Sequence, residues 1–248
     1  MVKMRVMTWN IHGASIRDRK ERYPVIKETI EEYQPDILCI QEAFFRKSRK
    51  MLESIKGYHV SYQTNRYPIP KIIESTKGGL ATLTREKPVE VNYYPYIAQG
   101  NWRTEQRWDR LLGKGFLETI IEDQNFGKAT IINTHKVCTY TEDIDKYLEA
   151  QTDQLLQKLR ERHKKGELVI LAGDFNFQRR SKLYPQFREL LHDATAALQD
   201  FHLFEYQTID YVFISQEHKY HPQYVLNKKG KYPSDHPGIL VDIEFANR

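Results

Sequence analysis

Side chains able to bind metal or phosphate stand where apolar β-type runs end. Met4–Trp9 ends in Asn10, and Ile37–Ile40 runs into Gln41 and Glu42. Ala129–Ile132 runs into Asn133, Thr134 and His135, and Leu168–Ala172 into Gly173, Asp174, Phe175 and Asn176. Four separate strands thus deliver carboxylate, amide or imidazole groups at their carboxyl ends, where open α/β sheets hold ligands. Two more groups sit at strand beginnings: Asp210 opens IDYVFI, and Asp235 and His236 precede GILVDIEF. If those last strands run antiparallel to the first four, all six groups meet along one edge, which predicts mixed sheets. Taken singly, each residue has a plainer reading. Asn10 and the Gly173–Asn176 stretch serve equally as turn residues, Glu42 as a helix cap, His135 and His236 as satisfied polar groups, and Asp210 as the partner of a lysine. Their conjunction in this order favours a common site.

Two helices are well marked. Residues 21–33 place Val25, Ile26, Ile30 and Tyr33 on one face and stop at Pro35; residues 143–164 place Ile144, Leu148, Leu155 and Leu159 on one face and stop at Gly166. Shorter helices are predicted over 46–55 and 181–192. Strands are predicted over 3–9, 36–41, 58–62, 79–84, 116–122, 128–134, 168–173, 209–215 and 238–245. No repeat, low-complexity tract or Pro/Gly/Ser linker divides the chain, so 1–248 reads as one domain. So many strands with so few helices imply sheets packed face to face with helices outside, because a doubly wound parallel sheet needs a helix after nearly every strand.

The segments TWNIHG (8–13), PDILCIQEA (35–43), GGLATLTR (78–85), INTHKV (132–137), LAGDFNF (171–177), IDYVFIS (209–215) and SDHPGI (234–239) together carry a family signature. From residue 4 to about 245 the chain resembles the endonuclease/exonuclease/phosphatase superfamily. Its members include DNase-type nucleases, abasic-site endonucleases, inositol-phosphate phosphatases and sphingomyelinases. The resemblance implies an α/β fold, a four-layer sandwich of two central mixed β-sheets flanked by helices, and a metal-dependent phosphoesterase.

Hydrolysis of a phosphate ester needs a cation to neutralise phosphoryl charge, a base to take a proton from water, and donors to hold the non-bridging oxygens. Mg²⁺, or Mn²⁺ in its place, prefers one or two carboxylates plus waters. Glu42 suits it as the direct carboxylate, with the Asn10 amide oxygen beside or behind it. Asp235 is a candidate for a second metal position or for orienting its neighbour. No Cys/His spacing for a structural zinc site is present. The resemblance pairs Asp210 with His236, the carboxylate taking one ring N–H. His236 then acts as base on water or, when protonated, as a clamp on phosphoryl oxygens; the competing assignment gives the water to Asp174. His135 and Asn176 are the implied donors to those oxygens.

The chain carries 38 Lys+Arg against 33 Asp+Glu, a net charge of +5, which favours anionic partners. The excess clusters at Arg46, Lys47, Arg49 and Lys50, at Arg179, Arg180 and Lys182, and at Lys228, Lys229 and Lys231. Tyr93, Tyr94, Tyr96, Trp102 and Trp108, with Arg103, Arg107 and Arg110 among them, could stack bases and hold phosphates, with Trp102 and Arg103 as substrate contacts. The same segment could sit at a lipid headgroup interface, or pack a long loop. An endonuclease/exonuclease-type phosphodiesterase leads. The alternative is a phospholipid-, sphingomyelin- or inositol-phosphate-directed esterase, to whose sphingomyelinase branch KGFLETII (114–121) is similar. A non-catalytic phosphate-binding module is disfavoured, because every implied catalytic position is filled. Two cysteines exclude a disulfide framework, and the apolar runs fall far short of the ~18 residues of a membrane span. With residues 1–10 reading as a strand and not as a leader, the sequence predicts a cytoplasmic monomer without stable membrane insertion.

Overall fold

The computed structural model describes residues 2–15, 18–65, 75–104, 106–138, 146–199, 208–225 and 233–245. In chain order its elements begin with β1 (Val2–Asn10), α1 (Arg19–Tyr33), β2 (Ile37–Gln41), α2 (Arg46–Glu53), β3 (His59–Ser61), β4 (Thr64–Asn65) and β5 (Ser75–Thr76). They continue with β6 (Ala81–Thr84), β7 (Glu90–Pro95), α3 (Arg107–Leu112), β8 (Gly115–Asp123), β9 (Gly127–His135), α4 (Lys146–His163) and β10 (Leu168–Asp174). The last are α5 (Tyr184–Arg188), β11 (His192–Asp193), β12 (Asp210–Ile214), β13 (Lys219–Val225) and β14 (Gly238–Phe245).

Two six-stranded sheets result, in the orders β13-β14-β1-β2-β6-β3 and β11-β12-β10-β9-β8-β7. Both are mixed. β1 and β2 run parallel, as do β9 and β10, whereas β14 returns antiparallel to β1 and β12 antiparallel to β10. The antiparallel return expected of the last strands is therefore present, and the chain forms the four-layer α/β sandwich.

Alternation along the strands builds the layers. Met4 and Val6 of β1, Ile37 and Cys39 of β2, Ile170 and Ala172 of β10, and Val212 and Ile214 of β12 fill the space between the sheets. The intervening Met7, Trp9, Leu38 and Ile40 pack with Ile26 and Ile30 of α1 and Leu52 of α2. On the other side Val169 and Leu171 pack with Leu148, Leu155 and Leu159 of α4. Carried one or two steps further, the inner-face positions change character. They become Thr8 and Asn10 on β1, Gln41 on β2, Asn133 and His135 on β9, Asp174 on β10 and Asp210 on β12, all buried. The interior thus ends in a polar rim.

Asn133 locks the sheets together just inside that rim. Its Nδ2 donates to the Ile40 and Ala81 carbonyls of the opposite sheet, each at 3.0 Å, and its Oδ1 accepts from Gln41 Nε2 at 2.8 Å. Gln41 Nε2 also donates to Thr8 Oγ1 at 3.1 Å.

Several elements depart from the pattern read in the sequence. β7 and β13 are edge strands whose side chains are largely half-buried or exposed, and β13 carries Pro222, so neither shows the apolar alternation of a core strand. α3 buries none of its residues and shows no apolar period. The helix expected over 181–192 shortens to α5, and its end turns into β11, which pairs with β12. Ile144 and Lys228, Lys229 and Lys231 lie outside the described residues. Among the described residues, no helix is long and apolar enough to cross a membrane.

Replacing Asn133 by Ala strands two buried carbonyls and one buried amide. The expected cost is about 3 kcal/mol, read as a lower urea midpoint at unchanged slope. A wild-type midpoint would refute the locking role.

Candidate active site

Strand register sets the site. Asp174 stands opposite His135 on β9 and opposite Asp210 on β12, while Asn10 stands opposite Gln41 on β2. Asn10 Nδ2 then reaches across to both sheets: it donates to Asp174 Oδ2 at 3.0 Å and to Glu42 Oε1 at 3.3 Å. Glu42 follows the inner-facing Gln41 and would point away if the strand continued. Its left-handed backbone (φ 62) re-aims the side chain, a conformation rare for glutamate. Its Oε2 accepts the Ala14 N–H at 3.0 Å. Gly13 permits that approach, since a Cβ there would lie 1.8 Å from the Glu42 carbonyl oxygen. Gly173 (φ +147) does the same beside Asp174, where a Cβ would lie 2.0 Å from the Thr134 oxygen.

His236 Nδ1 lies 2.8 Å from Asp210 Oδ2, and its Nε2 lies 3.9 Å from Asp174 Oδ2. The loop before β14 is pinned to the end of β1. Trp9 Nε1 donates to the His236 carbonyl at 3.0 Å, Ser234 Oγ donates to the Asn10 carbonyl at 2.6 Å, and the His236 N–H donates to Ser234 Oγ at 3.2 Å. The Arg22 guanidinium of α1 donates to the carbonyls of Ile11, His12, Ser15 and Pro233, gathering the same two loops.

On the other flank, His135 Nε2 is 3.4 Å from Asp174 Oδ2 and 2.6 Å from Lys114 Nζ. Lys114 is buried and also pairs with Asp109 Oδ1 of α3 at 3.0 Å, while Asp109 Oδ2 accepts the Cys138 N–H at 2.9 Å. Asn176 adopts a left-handed backbone (φ 53). Its N–H donates to Asp174 Oδ1 at 3.0 Å and its Nδ2 to the Lys136 carbonyl at 2.9 Å. Lys136 itself is fully buried. Its Nζ donates to Thr152 Oγ1 of α4 and lies 4.8 Å from the Phe177 ring centroid.

Burial, then the Asp210 charge, raises the Asp174 pKa well above the ordinary carboxylate range, against the pull of His236, Lys114 and the Asn10 bond. Burial alone would lower His236, but Asp210, through charge and hydrogen bond, and then Asp174 outweigh it and hold the imidazole well above an ordinary histidine. His236 is therefore a charged imidazole between two carboxylates. His135 goes the other way: burial, the Lys114 ammonium and His236 push it well down. A neutral His135 that accepts from Lys114 at Nε2 carries its proton on Nδ1.

The structure thus brings Asn10, Glu42, His135, Asp174, Asn176, Asp210 and His236 into one contact network. Two positions differ from expectation. The Asn10 oxygen accepts the His12 N–H at 3.0 Å and its nitrogen faces the carboxylates, because an amide oxygen turned that way would set acceptor against acceptor at Glu42 and Asp174. Asp235 closes on His12, with Oδ2 2.5 Å from Nδ1. Trp102 and Arg103 lie outside the network, on the stretch leading to α3. Sequence reasoning assigned no role to His12, Asp109, Lys114 or Lys136. His12 lies within TWNIHG, Lys136 within INTHKV, and Lys114 opens KGFLETII; Asp109 carried no signal of its own.

Residues 7–236 match the Endonuclease/Exonuclease/phosphatase family. The chain belongs to this family. Endonuclease/exonuclease/phosphatase proteins hydrolyse phosphoester bonds and are generally dependent on a divalent metal. One curated relative, the inositol phosphosphingolipids phospholipase C of Schizosaccharomyces pombe, is 24% identical over 185 residues, which cover 71% of this chain and 42% of that protein. The chain therefore spans less than half the length of this relative. The human Nocturnin catalytic domain with bound sulfate shares the fold at a TM-score of 0.72 and 23% identity, covering 98% of this chain and 95% of that one. An endonuclease/exonuclease/phosphatase from Beutenbergia cavernae does so at 0.75 and 18%, covering 98% and 72%.

The carboxylates fit the divalent cation on which this family generally depends. Glu42 and Asp174 oxygens converge on a single amide nitrogen. Donor atoms of Asp174, Asp210 and His236 lie within 4.8 Å of one another. Carboxylate oxygens grouped in this way suit a divalent cation.

The Lys114 ammonium helps to hold the His135 pKa down, so Lys114→Met is expected to move it upward. An NMR titration of the ring nitrogens should show wild-type His135 neutral where an ordinary histidine charges (~6.5), and the variant charging at higher pH than wild type. An unmoved His135 would refute the Lys114 contact.

Proposed function

We propose that the chain is a divalent-metal-dependent phosphodiesterase that cleaves a P–O bond with water activated at Asp174. The observation that carries this reading is the convergence on one carboxylate oxygen. Asp174 Oδ2 stands 3.0 Å from Asn10 Nδ2, 3.4 Å from His135 Nε2 and 3.9 Å from His236 Nε2. Glu42 would hold the cation, with the Asp174 carboxylate beside it across the Asn10 amide. When bound, the cation neutralises charge on the phosphoryl oxygens.

The chain's own groups divide the remaining work. Asp210 accepts His236 Nδ1–H and so presents Nε2–H of a charged imidazole to a phosphoryl oxygen. Asp174, buried and raised in pKa, accepts the proton of the attacking water. Lys114 adds fixed positive charge where negative charge grows, and Asn176 offers its remaining amide hydrogen. Lys136, Asn133 and Arg22 position these groups without touching substrate.

For substrate class, we infer a phospholipid- or sphingolipid-type diester. Tyr96 is buried with its hydroxyl 2.7 Å from Thr134 Oγ1, and Tyr94 stacks on Phe116 at 5.0 Å, so neither ring serves bases. The basic clusters are partly spent inside the fold. Arg49 is buried over Tyr62, and Arg179 donates to the Thr195 and Leu198 carbonyls. The name of the S. pombe relative supports the same class. The nuclease-type reading retains the net charge of +5. Residues 1–248 are proposed as one catalytic domain, which the antiparallel ladder between β1 and β14 supports.

Glu42→Gln, Asp174→Asn and His236→Gln are each expected to lower kcat/KM by ~10²–10⁴-fold with circular dichroism unchanged. Chelator should abolish turnover of bis(p-nitrophenyl) phosphate, and added Mg²⁺ or Mn²⁺ restore it; chelator-resistant turnover would refute the metal. A parallel assay on plasmid DNA, single-stranded DNA, RNA, sphingomyelin and inositol phosphosphingolipid tests the class, and cleavage of nucleic acid alone would reverse it.

A further inference from the structure

We infer that the outer face around α3 is a docking surface for an anionic phospholipid bilayer. This deepens the lipid-directed reading above and rests on it. Trp102, Trp108 and Leu111 are 57%, 55% and 50% exposed, and no residue of α3 is buried. Three of the five large exposed apolar side chains among the described residues therefore lie here. Trp108 and Leu111, three positions apart on a helix, share a face. The Arg110 guanidinium lies 5.0 Å from the Trp102 ring centroid and Arg107 5.8 Å from that of Trp108. Arg110 also donates to the Gly100 carbonyl at 3.3 Å, tying the Trp102 loop to the helix.

Among the described residues, the charge on this face is positive, with Arg103 and Arg110 exposed. Asp109, the acidic residue of α3, is turned inward onto Lys114 and the Cys138 N–H. Glu105 lies outside the described residues. Tryptophan rings settle at headgroup depth while guanidinium groups meet lipid phosphates. A nucleic acid would use the rings and the arginines but would gain nothing from Leu111. That exposed leucine favours a bilayer.

The face also lies where docking would serve the chemistry. Asp109 on the inner side of α3 contacts Lys114, which contacts His135. A bilayer on the outer side brings headgroups alongside that flank of the site.

The test is co-sedimentation with phosphatidylcholine vesicles, with and without phosphatidylserine, together with quenching of tryptophan fluorescence by brominated phosphatidylcholine. Trp9 is only 2% exposed, so a quenched signal reports Trp102 and Trp108. Binding is expected to need phosphatidylserine, to weaken with salt, and to fall about fivefold for Arg110→Gln. Trp108→Ala/Leu111→Ala should lose binding and quenching while keeping bis(p-nitrophenyl) phosphate turnover. Equal binding to both vesicle types, absent quenching, or wild-type binding by both variants would overturn the proposal. So would tight binding of a single-stranded oligonucleotide without any vesicle binding. Failure to bind vesicles with intact turnover of the soluble diester removes the docking face alone; vesicle binding without that turnover removes the hydrolase reading.

Discussion

One side-chain amide joins the halves of the site. Asn10 Nδ2 donates at once to Asp174 of one sheet and Glu42 beside the other. A donor shared by two carboxylates fixes their separation and satisfies a buried nitrogen. It can stand there only because the sheets are held at a constant distance by the Asn133 and Gln41 bonds one step deeper. The apolar interior sets the layers, the amide lock sets their spacing, and the rim inherits both.

That rim concentrates negative charge in a place shielded from water. Asp174 and Asp210 face each other across β10 and β12, and desolvation makes two adjacent carboxylates costly. The fold answers with cationic neighbours on two sides: the His236 imidazole between the pair, and Lys114 beyond His135. Two histidines of the same site are thereby driven to opposite protonation states. His236 gains a proton from its carboxylates, and His135 is kept neutral by burial and by Lys114.

The placement of the site was legible because it follows from strand arithmetic. Met4, Val6 and Thr8 lead by twos to Asn10; Ile170 and Ala172 lead to Asp174; Ala129, Ile131 and Asn133 lead to His135. A reader of the sequence can extend those progressions without coordinates. The antiparallel return that adds Asp210 and His236 required a topological guess, and the family resemblance supplied the pairing. What escaped was carried by contact alone. Asp109 and Lys136 sit in no periodic pattern, and the roles of His12 and Lys114 depend on which strand lies beside which. The tyrosines and tryptophans of 93–108 look alike in sequence, yet the former are partly or fully buried against β8 and β9 while the latter are exposed. Edge strands such as β7 and β13 hide for the same reason, since a strand paired on one side needs little apolar alternation.

Arg22 has a consequence for how such proteins can diverge. Its guanidinium is spoken for by carbonyls of the segment after β1 and of the segment before β14, far apart in the chain. An insertion or deletion in either segment would pull those carbonyls off a rigid planar fork, and the histidine and glutamate they flank would drift with them. The two loops are thus bound to change length in concert or not at all.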